Sequence, residues 1–217
     1  MPPKPKFTKE EIVAAAVEIV RQDGEDALTA RSLGNKLAAS ARPIFTVFSS
    51  MDEVREAVRK KAQEIFYSYR ERICGEMGYP VYKAIGMAYI RFACEEKNLF
   101  RILFMCERPM EAMMMEEGYD TAVRQAVEEQ TGFSDEKGSL FHRENWIFAH
   151  GVAVMLATSY FQWDDELVGR MLSDVYAGLK MRHAQEKDAL EEEQRKLAEK
   201  KREYDGRNST GTKGKTV

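Results

Sequence analysis

The sequence predicts an all-α fold: a small three-helix unit, a long connecting helix and a larger helical bundle. Three observations carry this expectation. Apolar residues recur three and four positions apart through most of the chain, which is the spacing of one helix face. Cap residues stand where those periodic stretches begin. Only six prolines and 14 glycines occur, most of them between periodic stretches, and alternating strand-like runs are nearly absent.

Thr8 and Glu11 form a capping box, the hydroxyl and the carboxylate each satisfying an orphan backbone N–H. Ile12, Ala15, Ala16, Ile19 and Val20 then build one apolar face, and Asp23-Gly24 ends the helix. Thr29 caps a second helix with Leu33 and Leu37 on its buried side. Residues 39–41 make a short break, and residues 42–48 predict a short third helix with Pro43 in its first turn, where a missing N–H costs little. Ser50 and Glu53 make another capping box, opening a long helix through about Arg72. Further helices are expected over residues 81–95, 99–105, 110–130, 140–160 and 165–183.

After His183 the composition turns sharply charged. Glu191/Arg195 and Glu192/Lys196 are helix pairs four apart. Leu190, Leu197 and Tyr204 fall seven apart, but their companion positions are polar, which favours a solvated helix over a coiled-coil zipper. Gly206 is expected to stop that helix. The resulting division is 1–50, a helix-turn-helix domain; 51–183, a larger helical domain; 184–205, a charged extension; and 206–217, a disordered basic tail.

Composition narrows the class. With 217 residues, 44% hydrophobic and 32% charged, the chain is too apolar for disorder and too charged for a membrane protein. The longest apolar runs, 102–106 and 148–156, fall well short of the roughly 20 residues of a spanning helix. Cys74, Cys94 and Cys106 are an odd, widely spaced set, and no signal-peptide order is present, so reduced thiols and a cytoplasmic location are expected. No metal and no cofactor is expected: His142, Glu144 and His150 lack ligand spacing, and no paired cysteines occur. Catalytic and phosphate-loop motifs are missing too. Glu95-Glu96 and Glu116-Glu117 are adjacent pairs that diverge by about 100° on a helix, so no enzyme is expected.

Residues 1–70 carry twelve basic and ten acidic groups, whereas residues 71–183 carry twelve and eighteen. The N-terminal part is therefore the least repulsive surface for a polyanion, without being a strong basic patch. Three short helices with a tight break between the second and third make a helix-turn-helix, with Leu33, Leu37, Ile44 and Phe48 locking the unit. Pattern alone leaves a DNA-binding headpiece and a plain helical hairpin both open.

The stretch TARSLGNKLAASARPIFTVFSSMDEV, preceded by FTKEEIVAAAVEIVRQDG, resembles the helix-turn-helix signature of TetR-family transcriptional regulators over about residues 7–65. Trp146, His150 and Gly151 are similar to a Trp-x3-His-Gly motif of one C-terminal class of that family. The resemblance implies a DNA-binding headpiece on a helical ligand-binding and dimerisation domain: a homodimer on double-stranded DNA, a repressor released from a palindromic operator by a small, largely apolar effector. The implied DNA contacts are Thr29, Arg31, Ser40, Ala41, Arg42, Pro43, Phe45, Thr46 and Lys6. Arg42 is a base reader, since guanidinium grips a guanine edge with two bonds, or else a phosphate clamp or a solvated side chain. This chain departs from the family where Phe45 replaces a common Tyr, Val47 a frequent His and Met51 a common Lys. A helical ligand-binding or scaffold protein whose headpiece no longer holds DNA is therefore the alternative.

For the larger domain, Phe66, Tyr69, Tyr89, Phe92, Phe104, Met105, Met113, Trp146, His150 and Met155 are the candidate effector-lining residues. Unbranched Met and aromatic rings suit apolar ligands of varied shape, though the same residues also serve as packed core. Leu167, Val168, Met171, Leu172, Val175, Tyr176 and Leu179 form a face wider than a lone surface helix needs. It serves either packing within the chain or a two-fold seam, and the resemblance implies the seam.

Overall fold

Side-chain caps at Thr8, Thr29 and Ser50 set the first three helix starts. The computed structural model of the chain describes residues 6–106, 121–162 and 164–210. Its helices are α1 (Lys9–Asp23), α2 (Ala30–Lys36), α3 (Met51–Glu76), α4 (Val81–Glu95), α5 (Lys97–Phe104), α6 (Thr121–Thr131), α7 (Asp135–Ala157) and α8 (Asp165–Thr210), with 3-10 turns at Glu25–Ala27 and Ile44–Thr46. No strand occurs among the described residues. The Thr8 box forms as expected, the Glu11 N–H donating to the Thr8 hydroxyl at 3.2 Å and the Thr8 N–H to the Glu11 carboxylate at 2.8 Å. At α3 only half of the expected box appears. Ser50 accepts from the Glu53 N–H, but the Glu53 carboxylate turns to the Ser49 N–H at 2.7 Å and the Ser49 hydroxyl at 2.8 Å. Those bonds hold the Glu53 carboxyl below the usual carboxylate range.

Two departures from the sequence reading have local causes. Residues 42–48 form no α-helix: a 3-10 turn at Ile44–Thr46 takes their place. The Thr46 hydroxyl donates to the Pro43 carbonyl at 2.6 Å, taking the acceptor that the Val47 N–H would use in an α-helix, and that N–H turns to the Ile44 carbonyl at 3.0 Å instead. The last helix, by contrast, passes Gly206 without stopping and runs to Thr210. A helix-interior glycine costs about 1 kcal/mol but ends a helix only where the backbone turns left-handed. The charged extension from residue 184 continues the same helix. Residues 211–217 of the expected tail, and Met113 of the expected lining, lie outside the described residues.

Helix α4 is the hub, packing against α3, α5, α6, α7 and α8. One apolar core runs without a break from Ile12, Leu33, Ile44 and Phe48 of the headpiece through Val54, Val58 and Phe66 of α3 to Phe92, Phe100 and Ala153 of the body. A second, smaller core gathers Tyr82, Val123, Val127, Phe133 and Phe141 at the far end of α4. No helix among the described residues is long and apolar enough to cross a membrane.

Candidate nucleic-acid interface and effector core

The headpiece sorts its arginines into two kinds. Arg55 donates to the Leu28 carbonyl at 3.4 Å and to Asp52 at 2.9 Å, and Arg59 reaches Glu25 at 3.1 Å, so both tie α3 to the loop before α2. Arg31 and Arg42 are exposed, and neither has an ion-pair partner among the described residues. Lys6, Lys36 and Ser40 are exposed as well. Lys36 was not anticipated; its signal is a basic residue in the last turn of α2. The Thr29 hydroxyl is engaged in capping α2, accepting from the Ser32 N–H at 3.1 Å.

The turn from 41 to 47 has three edges. Ala41, Ile44 and Val47 point inward and pack on the core, Ile44 being fully buried. Pro43 and Thr46 lie between, the Thr46 hydroxyl donating back to the Pro43 carbonyl. Arg42 and Phe45 stand on the third, both exposed, Phe45 at 46%. Of the departures noted in the sequence, Val47 and Met51 are explained by packing: both are half-buried against the core.

The loop leading into this turn is tight. Ala39 donates to the Gly34 carbonyl at 2.9 Å and Ala38 to the Asn35 carbonyl at 3.0 Å, closing α2 with Ala38 at φ 48°. A Cβ on Gly34 would lie 3.0 Å from the Ala39 carbonyl oxygen, closer than ordinary contact, so a side chain there would push the loop back by a few tenths of an ångström.

In the body, most of the expected lining residues come together as an aromatic cluster. Phe66 meets Phe92 and Phe104 edge-to-face, each at 5.1 Å, Tyr69 meets Phe92 at 5.4 Å, and Tyr89 meets Phe104 at 5.0 Å. His150 joins through its Nδ1, 2.8 Å from the Tyr89 hydroxyl, and lies stacked 4.9 Å from Trp146. Burial pushes the His150 pKa down from its ordinary 6.5, which favours the neutral ring. Burial first, then the Glu95 carboxylate, raises the Tyr69 phenol. Met105 and Met155 stand apart, exposed at 41% and 38%, because one follows the last turn of α5 and the other faces outward from α7. Sequence reading missed Phe100, which is fully buried 5.4 Å from Tyr89; its place one turn before Phe104 was the available signal. It also missed that Tyr82 and His142 repeat the Tyr89–His150 bond seven residues along α4, at 2.9 Å.

Helix α5 connects this cluster to the headpiece. It carries Phe100 and Phe104, and its start is bonded to the end of α1: Arg21 Nε donates to Glu96 at 2.9 Å, and the Asn98 side chain donates to the Arg21 carbonyl at 3.1 Å.

The last helix divides its expected seam. Val168, Leu172, Tyr176 and Leu179 pack into the two cores of their own chain, since helix α8 turns that side toward α4 and α7. Leu167, Met171 and Val175 are half-buried. Outward, α7 presents Leu140, Ile147 and Met155 and α8 presents Met181, at 46%, 59%, 38% and 61% exposure. Gly151 and Gly178 have open space where a Cβ would stand. His183 closes the inner side, its Nε2 2.7 Å from the Glu144 carboxylate.

No family model and no curated protein matches this sequence. Solved structures are similar to it in fold. A TetR-family transcriptional regulator from Vibrio parahaemolyticus matches with a TM-score of 0.53 and 18% identity, over 78% of this chain and 96% of that one. A TetR-family member from Streptomyces coelicolor matches with a TM-score of 0.50 and 13% identity, over 80% and 98%. The chain therefore has the all-α fold of these TetR-family proteins.

Proposed function

We propose that this protein is a DNA-binding transcriptional regulator, a homodimeric repressor that leaves a palindromic operator when a small, largely apolar effector enters the body. The division of labour is residues 1–50 for DNA and residues 51–183 for effector and dimer. The observation that carries the reading is the pair Arg31 and Arg42, exposed without an ion-pair partner among the described residues on a helix-turn unit where neighbouring arginines are tied down. Guanidinium groups left open in this way neutralise phosphates and grip guanine. The outward stripe of Leu140, Ile147, Met155 and Met181 supports a two-fold partner, because exposed apolar residues on two adjacent helices bury against their own copies in an isologous contact. Two headpieces then meet successive major grooves about 34–36 Å apart.

The aromatic cluster is the effector site in this reading, with the Tyr89–His150 pair as its polar group. An effector that parts the rings moves α5, and α5 pulls on α1 through Arg21, Glu96 and Asn98. Coupling then follows from a difference in headpiece spacing between the two states.

The test is enrichment of duplex fragments from a genomic or random pool by the purified chain, then a salt titration on the best fragment. Arg42→Ala is expected to weaken binding at least about tenfold and, if the contact is to a phosphate, to reduce the salt slope by about one. Failure to enrich any fragment, with only weak binding at low salt, would instead support a helical ligand-binding or scaffold protein with a degenerate headpiece.

A further inference from the structure

Resting on the DNA-binding reading above, we infer that Arg42 and Phe45 form a two-residue reading edge selecting a guanine and a thymine methyl group about two base steps apart. The argument is geometric. From 41 to 47 the backbone closes with bonds between residues three apart: Ile44 N–H to the Ala41 carbonyl at 3.1 Å, Thr46 N–H to Pro43 at 3.3 Å, Val47 N–H to Ile44 at 3.0 Å. Side chains three apart eclipse one another in such a turn, and burial here follows that three-residue repeat. One edge is used by the core, since Ala41, Ile44 and Val47 pack inward. The second has its hydroxyl proton committed to Pro43. The third edge carries Arg42 and Phe45, which both face solvent.

That edge offers one forked cation and one apolar ring. In the major groove a guanidinium matches guanine O6 and N7, and the only apolar feature of a base edge is the C5-methyl of thymine. A 3-10 turn rises about 2 Å per residue, so the two side chains start about 6 Å apart, close to two stacked base steps of 3.4 Å. An α-helix would have offset residues 42 and 45 by about 60° around its axis, so the eclipsed pair is a product of the turn. Phe45 lacks the phenolic hydroxyl that would direct it to a phosphate, and this leaves its ring for the methyl group.

The experiment uses the full chain and the best duplex from the selection. Each thymine is replaced in turn by deoxyuridine, which deletes only the C5-methyl, and each guanine by 7-deazaguanine, which deletes only N7. One uracil position is expected to weaken the wild type about fourfold, the value of one apolar methyl group. Phe45→Ala is expected to bind the thymine and uracil duplexes equally, while Phe45→Tyr, which keeps the ring, retains the uracil penalty. A 7-deazaguanine about two steps from that thymine is expected to weaken the wild type roughly tenfold and leave Arg42→Ala unaffected. Equal binding of the wild type to every uracil duplex would overturn the inference, as would a uracil penalty that survives in Phe45→Ala. Failure to select any salt-sensitive duplex at all would remove the DNA-binding reading first, and this inference with it.

Discussion

His150 shows how one side chain ties stability to pH. Its neutral ring stacks on Trp146 and shares a hydrogen bond with Tyr89, and burial lowers its folded-state pKa below the ordinary 6.5. Between those two values the unfolded chain binds the proton that the folded chain refuses. The stability from this group is therefore complete above pH 6.5 and is lost as pH falls from there toward the folded value. Denaturant midpoints of the wild type are expected to drop below pH 6.5 more steeply than those of His150→Gln, and parallel curves would show that the ring titrates normally. Tyr89→Phe, which strips His150 of this bond, is expected to cost about 1 kcal/mol in the same assay at pH 8. The aromatic types of this cluster were legible in the sequence, because long apolar side chains at helical spacing announce a buried face. The partner of His150 was not. Tyr89 lies 61 residues away, and only the packing of α4 on α7 brings the two together.

At the scale of elements, caps and periodicity carried the reading furthest where the bonds are local. Thr8, Thr29 and Ser50 each cap the helix that the sequence assigned to them, and α4 spans the residues its periodicity gave. The third headpiece element was misread for the opposite reason. Its apolar spacing of Ile44 and Phe48 fits an α-helix, yet the Thr46 hydroxyl on the Pro43 carbonyl and the Val47 N–H on the Ile44 carbonyl close it as a 3-10 turn. The two sides of α8 also escaped the sequence, since an apolar face over 100° wide does not say which part meets its own chain. The link between α2 and the turn stores strain that can be relieved. Ala38 sits at φ 48°, where a Cβ is costly, so Ala38→Gly is expected to raise stability by about 1 kcal/mol, seen as a higher denaturant midpoint at unchanged slope. Gly34→Ala is expected to lower it, because its new Cβ meets backbone rather than a yielding side chain.

For the whole molecule, the continuous core matters more than the division into headpiece and body. Leu33 and Ile44 belong to the same apolar cluster as Phe92 and Phe100. Heating is therefore expected to give a single calorimetric transition that includes the headpiece, and two separated transitions would contradict that continuity. The same continuity gives the proposed effector a mechanical path, through the Arg21–Glu96 and Asn98–Arg21 bonds. Glu96→Ala combined with Asn98→Ala is expected to keep DNA affinity within a few-fold while blunting release by an effector, measured as displacement from the selected duplex. An outward charge at the proposed seam, as in Ile147→Glu, is expected to shift sedimentation toward monomer. Helix α8 has a consequence of another kind. Beyond His183 its described side chains, residues 184, 185 and 195–198, are all exposed, and the helix continues to Thr210. Those last residues amount to a rod of roughly 40 Å. A rod on a rounded body dominates drag and tumbling, so the particle diffuses like a heavier one. Gel filtration should overstate its mass, and trimming the chain after Gln185 should delay its elution far more than the lost weight accounts for.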